Sequence, residues 1–279
     1  STITAMSLFT ARGTTMSARD ANVIERREFK YLVDALTAAR LRAAIQPFCE
    51  LDPWAARNPC GRYTIESVYF DTEALRLFWA NEHEQLDRVK VRVRGYAEAP
   101  TAPVFFEVKR RVNDIILKTR GKVPRDAWQR LVAAPDAEID PRVDGKDRRA
   151  VERFLAIARG MHLRPFTVVR YEREPWFSRI DDYARVTFDT AIRAQPTALP
   201  TFALPERGWR ALDDAVTMRT LDSLIVVELK FTTQVPLWLV QIVERLGLAR
   251  RSFSKYGTSI RAFYEAPALR RPIAAGGWR

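Results

Sequence analysis

The stretch ERREFKY, residues 25–31, leads directly into two further apolar residues, Leu32 and Val33. If it forms a β-strand, Arg26, Glu28 and Lys30 share one face, because successive side chains of a strand point to opposite sides. A strand that enters a hydrophobic core would then carry charges of both signs on its other face. The pattern raises the question of what that charged face contacts.

Five later segments show the same alternation. Their charged faces comprise Arg88, Lys90, Arg92 and Arg94; Phe105, Glu107, Lys109 and Arg111; Ile116, Lys118 and Arg120; Arg185, Thr187 and Asp189; and Glu228 and Lys230 in the short segment VVELKF. The sequence Glu-x-Lys occurs on three of these strands, beginning at Glu28, Glu107 and Glu228. Arg and Lys therefore dominate these faces, and each Glu-x-Lys adds one carboxylate.

Two interpretations of the charged faces are open. They could be the solvent face of an open antiparallel sheet whose apolar face packs on helices. However, a row of like charges on a flat sheet repels itself. If the sheet instead curls into a barrel of about eight strands, the charged faces line an interior that can hold a ligand. Such an interior needs a polyanion, and its carboxylates are oxygen ligands suited to Mg²⁺ or Mn²⁺.

The rest of the chain supports an α+β fold, an antiparallel β-barrel with flanking helices. Helical spacing of apolar residues predicts helices at 34–48, 73–82, 124–134, 146–162, 235–248 and 254–266, the last with Ser254 as N-cap. Period-two patterns predict strands at 63–72, 86–96, 102–112, 114–123, 166–174, 184–195 and 224–231. Strands outnumber helices and follow one another as meanders, which is typical of an antiparallel α+β domain.

Composition restricts the classes of partner and chemistry. The 279 residues carry a net charge of +12, which favours an anionic partner. The two cysteines, Cys49 and Cys60, are expected to be reduced thiols, which predicts a cytoplasmic protein. The chain has two histidines, which argues against a His-rich metal site and a Ser-His-Asp triad.

Three regions are expected along the chain. Residues 1–22 are predicted to be a disordered leader, rich in Ser, Thr and Ala and lacking the apolar core of a signal peptide. Residues 23–266 are predicted to form a single tunnel domain, and 267–279 a C-terminal tail.

The motifs ERREFKY, SVYFDT, KVRVR, FFEVKRR, VELKF and SFSKYG, in this order, resemble the VTC-type polyphosphate polymerase domain. That family belongs to the triphosphate tunnel metalloenzymes, which are CYTH-like proteins. The resemblance extends from about residue 24 to about residue 265. It implies a tunnel that binds the triphosphate of ATP with a divalent metal, Mn²⁺ or Mg²⁺, and transfers the γ-phosphoryl group to a growing inorganic polyphosphate chain.

The resemblance also implies roles for particular residues. Catalytic phosphate contacts are implied for Lys30, Arg92, Arg94, Lys109, Arg173, Arg185 and Lys255, substrate contacts for Lys118, Tyr171 and Ser254, and metal binding for Glu228. The pattern of charged faces adds Glu28, Lys90, Glu107, Arg120 and Lys230 as substrate-binding candidates. Glu28 and Glu107 are also candidates to assist Glu228 in holding the metal. If Tyr171 and Arg173 face inward, Arg170 and Glu172 face outward.

Two positions depart from the family pattern. Arg26 stands where the wider superfamily has the first glutamate of Glu-x-Glu-x-Lys, which favours the polymerase branch over a simple tripolyphosphatase. Ser252 stands where a lysine is expected, and Arg250 or Arg251 is a candidate to compensate.

Several alternatives to the polymerase remain open. One is a tripolyphosphatase or nucleoside triphosphatase of the same fold. Another is a non-catalytic module that binds polyphosphate, or nucleic acid through basic and aromatic residues, although Glu-x-Lys pairs do not favour a nucleic-acid partner. The expected partners are therefore ATP and polyphosphate. Because members of the family are often tied to membrane complexes, a membrane-protein partner is also expected.

Overall fold

The computed structural model describes residues 27–264, except for positions 114, 135, 182 and 233. The strands are β1 (Arg27–Val33), β2 (Cys49–Leu51), β3 (Tyr63–Asp71), β4 (Asp87–Tyr96), β5 (Val104–Val112), β6 (Ile115–Val123), β7 (Arg164–Ser178), β8 (Ala184–Pro196), β9 (Arg210–Ala211) and β10 (Ile225–Phe231). The helices are α1 (Ala35–Ile45), α2 (Pro53–Ala56), α3 (Arg76–Glu82), α4 (Trp128–Ala133), α5 (Gly145–Gly160), α6 (Ala215–Met218), α7 (Leu237–Arg245) and α8 (Lys255–Tyr264). The predicted leader, the tail and Arg26 lie outside the described residues.

One antiparallel sheet contains all ten strands, with the main order β1-β10-β8-β7-β3-β4-β5-β6. Five strands separate β1 from β5 in this order, yet Glu28 of β1 and Lys109 of β5 lie 3.7 Å apart. The sheet is therefore strongly curled, with these side chains inside the curl. The predicted α+β fold, with an antiparallel barrel and flanking helices, is confirmed. In the described part of the chain, however, no hydrogen-bonded ladder joins β1 to β6, the two ends of the strand order. The barrel is therefore not closed by backbone hydrogen bonds, and side chains such as Glu28 and Lys109 make the contact across the gap.

Apolar side chains cover the convex face of the sheet and hold the helices against it. On one side, Val91, Val93 and Val108 belong to a buried cluster with Trp128 of α4 and Phe154 of α5. On the other side, the outward residues of β1, β8 and β10 pack with those of α1 and α7 in a second cluster. The alternation read from the sequence thus separates an apolar exterior, buried under helices, from a charged interior.

Helix α8 lies on the concave side of the same sheet. Its residues Tyr256 and Ile260 are buried in a third cluster with Tyr171 of β7 and Val226 of β10. The interior of the curl is therefore divided into an apolar part around α8 and a cationic part beside it.

Most of the predicted helices and strands are present, but several begin or end at residues that the local sequence pattern did not predict. The fourth helix begins at Trp128 rather than at Pro124, because residues 124–127 form a turn in which Ala127 N–H donates to the Pro124 carbonyl. Strand β7 extends to Ser178 because its last residues pair with β2 and β8. The short elements β2, α2, β9 and α6 were not predicted, since two to four residues carry too little periodicity.

A close approach of α5 to β6 gives a test of the packing. A Cβ atom at Gly121 would lie 2.6 Å from the Asp147 carbonyl oxygen and 2.9 Å from Val151 Cγ2. We expect Gly121→Ala to lower the free energy of unfolding by about 1–3 kcal/mol, because backbone atoms cannot yield cheaply. Urea denaturation would measure this change.

Gly160, in the last turn of α5, is the matched control for that substitution. A Cβ there meets no atom within 4 Å, so Gly160→Ala should be neutral or slightly stabilising. Equal stability of Gly121→Ala and the native protein would contradict the packing described for β6 and α5.

Candidate functional site: a cationic tunnel

The concave face brings together all sixteen site residues predicted from the sequence. Eleven of these sixteen residues have cationic side chains, namely Lys30, Lys90, Arg92, Arg94, Lys109, Lys118, Arg120, Arg173, Arg185, Lys230 and Lys255. Four carboxylates accompany them, Glu28, Glu107, Asp189 and Glu228, so cationic groups clearly outnumber the acidic ones. The roles of these residues stay predictions, but their common location is a property of the fold.

One end of the cationic region is built around two buried carboxylates on neighbouring strands, Asp189 of β8 and Glu228 of β10. Arg173 donates to both oxygens of Asp189 at 2.7 Å and reaches Glu228 at 3.3 Å. Lys255 also binds Asp189 and lies 3.4 Å from Glu228. Lys230 donates to Glu228 at 2.8 Å. Each carboxylate thus holds at least two cations in place.

These contacts also fix the charge of Glu228. Its burial alone would raise its pKa, but Lys230, Lys255, Lys30 and Arg173 outweigh that effect and hold the pKa well below its ordinary value. Burial likewise disfavours the charged form of Lys255, yet Asp189 and Glu228 raise its pKa. Glu228 and Lys255 are therefore both charged at neutral pH.

A second cluster surrounds Glu107 on β5. Arg92 binds one oxygen of this buried carboxylate at 2.7 Å, and Arg94 lies 3.5 Å from the same oxygen. Its other oxygen lies 3.5 Å from Arg120 and 3.8 Å from Lys118. Burial outweighs the attraction of Glu107 and lowers the pKa of Lys118 to about 8. One carboxylate thus faces four cations.

Glu28 links the two clusters. It lies 3.3 Å from Lys30 and 3.7 Å from Lys109, and Lys30 is 3.8 Å from Glu228. Burial and the neighbouring Glu228 raise the pKa of Glu28, but the attraction of Lys230, Lys30 and Lys109 is stronger and lowers it to about 2. The charged region is therefore continuous across the curl of the sheet.

The start of α8 reaches this region through contacts with β1. Tyr31 forms a β-bridge with Arg250, and Arg251 N–H donates to the Lys30 carbonyl. The Lys30 ammonium then donates to the Phe253 carbonyl at 3.0 Å. These contacts place Ser254 at the head of α8.

Ser254 caps α8, as predicted, since its hydroxyl accepts from Gly257 N–H at 3.1 Å. Lys90 of β4 lies 3.2 Å from the same hydroxyl. Burial, followed by repulsion from Lys30 and Lys109, lowers the pKa of Lys90 to about 7. An anion bound beside Lys90 would favour its charged form.

A network inside the curl, on the side of α8, positions Arg92. The Arg92 guanidinium donates to the Tyr69 hydroxyl at 2.9 Å, and the Tyr69 ring stacks on Tyr256 of α8 with centroids 5.1 Å apart. The Tyr256 hydroxyl donates to Asp71, which also accepts N–H groups of Leu77 and Phe78 in the first turn of α3. The motifs SVYFDT and SKYG are therefore in direct contact.

Two arginines present buried donors that the described residues do not satisfy. Arg94 Nε and Arg185 Nε are both buried without a hydrogen-bond acceptor in the described part of the chain. Arg185 stacks on Phe177 and Tyr183, with its guanidinium carbon 4.2 and 4.9 Å from the ring centroids. Buried donors without acceptors are costly, so these two arginines are suited to an anionic ligand.

The carboxylates fit a divalent metal that arrives with its substrate. Within residues 27–264, apart from the four positions left out, no group of three or more His, Cys, Asp or Glu side chains could hold a metal alone. Mg²⁺, however, is commonly bound through one or two carboxylates together with substrate phosphates. Glu28 and Glu228, which are ionised and close enough to affect each other's pKa, are suited to that arrangement.

The structure adds residues that sequence reasoning did not include. Asp189 was seen to share a face with Arg185, but its pairing with Arg173 and Lys255 depends on the register of three elements.

Arg170 points outward, as predicted, and its guanidinium lies 2.7 Å from the Glu66 carboxylate. Arg250 stacks on Phe29, an outward residue of β1, and so does not supply the charge absent at Ser252.

The antiparallel sheet thus curls around paired cations and carboxylates and forms a cationic tunnel. Residues 25–264 match the family described as VTC domain, and the chain belongs to that family. No curated protein matches the sequence.

Two solved structures align with most of this chain at low sequence identity. HpAC1 from Hippeastrum, a proposed adenylyl cyclase with a dominant triphosphatase activity, is 15% identical, with a TM-score of 0.48 over 85% of this chain and 96% of that one. The PH1819 protein from Pyrococcus horikoshii OT3 is 12% identical, with a TM-score of 0.39 over 81% of this chain and 94% of that one.

The low pKa of Glu28 predicts loss of stability in acid. Because this pKa is about 2 in the folded chain against an ordinary value of 4.5 for a glutamate, the unfolded chain binds more protons between these two pH values. The free energy of unfolding should therefore fall as the pH is lowered from about 4.5 to about 2. We expect Glu28→Gln to reduce that fall by about 1–2 kcal/mol, measured by urea denaturation at several pH values.

The control for this experiment is Glu73→Gln, which changes a carboxylate whose side chain is 84% exposed. Its pH dependence should follow that of the native protein. If Glu28→Gln also keeps the native slope, the lysines do not hold Glu28 ionised.

Proposed function

We propose that this protein is a polyphosphate polymerase, which transfers the γ-phosphoryl group of ATP to a growing inorganic polyphosphate chain. The observation that carries the proposal is the unsatisfied charge of the concave face, eleven cations against four carboxylates, with buried donors of Arg94 and Arg185 left without acceptors. The excess exceeds what a single phosphate group neutralises, and it extends across the curl. A linear polyanion matches such a row.

The residues support phosphoryl transfer without a protein nucleophile. That reaction depends mainly on alignment of the reacting groups and on stabilisation of charge. Arg92, Arg94 and Arg173 offer planar guanidinium groups that bind phosphate oxygens through two hydrogen bonds, while the lysines act as point charges. Because Glu107 and Asp189 hold these arginines in place, little reorganisation would accompany binding. The acceptor would be the terminal phosphate of a chain in the same tunnel.

A divalent metal, Mn²⁺ or Mg²⁺, would be held by Glu228 with help from Glu28, and when bound it would neutralise charge and orient the triphosphate. Lys30 and Lys230 contact Glu228 and would have to share it with such an ion. Lys30 also contacts Glu28 and the Phe253 carbonyl, so the N–H groups left for the phosphates belong to Lys230.

The direct test is to incubate the purified chain with ATP and Mn²⁺ or Mg²⁺, and to measure polyphosphate on a stained gel together with ADP and free phosphate. We expect a polyphosphate ladder with matching ADP. Free phosphate without a ladder would contradict the polymerase and identify a hydrolase built on the same site.

Neighbouring residues on β5 provide a matched pair of variants. Lys109 points into the tunnel, whereas Arg110 points outward and pairs with Asp87 on the surface. We expect Lys109→Ala to lower turnover at least about tenfold, because it removes a cation from the transfer site. Arg110→Ala, with the same loss of charge on the same strand, should retain native turnover. Equal effects of the two changes would show that only overall charge matters.

Glu228→Gln separates metal-dependent chemistry from anion binding. We expect turnover to be lost, while inorganic tripolyphosphate binds at least as tightly as to the native protein, because Lys230 and Lys255 lose a counterion. Calorimetry and the gel assay would measure the two properties. Native turnover at every metal concentration would remove Glu228 from the catalytic site.

The expected partners follow from the same proposal. ATP and polyphosphate are the proposed ligands, and nucleic acid is not expected. Within the described residues, no helix is both long enough and apolar enough to cross a membrane. A membrane-protein partner and a cytoplasmic location both stay predictions.

A further inference from the structure

Three aromatic side chains lie together on the concave face, at the side of the Glu107 cluster. The rings of Tyr63 and Tyr96 meet edge to face with centroids 5.6 Å apart, and those of Tyr96 and Phe105 do so at 6.0 Å. The guanidinium carbon of Arg120 lies 3.6 Å from the Phe105 ring centroid. We call these four residues the aromatic ledge.

The ledge is continuous with the phosphate-binding candidates. Arg120 contacts Phe105 with its guanidinium plane and also lies 3.5 Å from Glu107. Phe105 of β5 lies opposite Arg94 of β4 in the sheet. Tyr63 of β3 lies opposite Arg173 of β7 in the same way. A ligand whose phosphates bind these arginines would therefore extend over the aromatic rings.

The three rings are only partly buried. Tyr63, Tyr96 and Phe105 each retain accessible surface, unlike Tyr171 and Tyr256, which are buried in the apolar part of the interior. Tyr63 and Tyr96 do pack at the margin of that apolar cluster, whereas Phe105 belongs to no buried cluster. Packing of the fold thus accounts for the tyrosines in part but gives no role to Phe105.

We propose that the aromatic ledge binds the nucleobase of the nucleoside triphosphate, which makes ATP rather than inorganic triphosphate the favoured donor. The inference rests on the proposed function, because it extends the same site. Arg120 covers one face of the Phe105 ring, so a flat base would stack on the exposed rings or on the Arg120 guanidinium plane, and such stacking does not depend on the hydrogen-bonding pattern of the base. Arg120 would contact both the base and the phosphates, since it lies against the Phe105 ring and 3.5 Å from Glu107.

The test compares two ligands that share the triphosphate and differ in the nucleoside. A non-hydrolysable ATP analogue with an imido β,γ-bridge and inorganic tripolyphosphate are each titrated calorimetrically into the native protein and into Phe105→Leu. We expect Phe105→Leu to weaken the ATP analogue about tenfold, the size of one lost stacking contact, and to leave tripolyphosphate binding within about twofold.

Phe29→Leu is the matched control. Phe29 is also a partly buried phenylalanine under an arginine, Arg250, but it lies on the convex face of β1. This variant should bind both ligands like the native protein. Tyr96→Leu provides a second variant of the ledge and should reproduce the selective loss if Phe105→Leu folds poorly.

The outcomes separate this inference from the proposed function. Selective weakening of the ATP analogue supports the ledge as a base site. Equal weakening of both ligands, or of neither, overturns it while the tunnel still binds triphosphate. If the native protein binds neither ligand, the proposed function fails and the base site fails with it.

Discussion

Three buried carboxylates and the half-buried Glu28 hold nine cations together inside one curled sheet, and the remaining architecture depends on these ion pairs. Without Glu107, Asp189 and Glu228, the arginines and lysines of neighbouring strands would repel one another at short distance. With the carboxylates in place, these nine cations are oriented before any ligand binds. The residual positive charge is held on a rigid surface, which is the condition for strong electrostatic recognition of an anion.

The opposite face of the same strands determines where the helices lie. Alternation sends the apolar side chains outward, so helices must cover the convex face to bury them. Helix α8 is the exception, because it enters the curl and fills part of the interior. Its first residues, Ser254 and Lys255, thereby join the charged region, and Tyr256 ties them to Asp71 and α3. Catalytic candidates at opposite ends of the chain are thus fixed by one packed interior.

Much of this could be predicted because strand periodicity and charge are local properties. The inward residues of β4 and β5 follow from alternation alone, and the like charges of those strands already favoured a curled sheet. Asp189 shows the limit of such reasoning. Strand alternation showed which face of β8 carries Asp189. Its partners could not be predicted, because Arg173 lies on β7, which has a register shift, and Lys255 lies on α8, far away in the sequence. Contacts that depend on register and helix placement are not encoded in any short pattern.

The free edge of the sheet gives the cations of β6 a second consequence. In the described residues β6 pairs with β5 only, so its other edge leaves backbone groups unpaired. Such edges promote association between copies of a chain, and charged side chains are a common protection against it. Lys118, Arg120 and Lys122 alternate along this strand. The charges on this wall of the tunnel therefore also protect the free edge of the sheet against pairing with another copy of the chain.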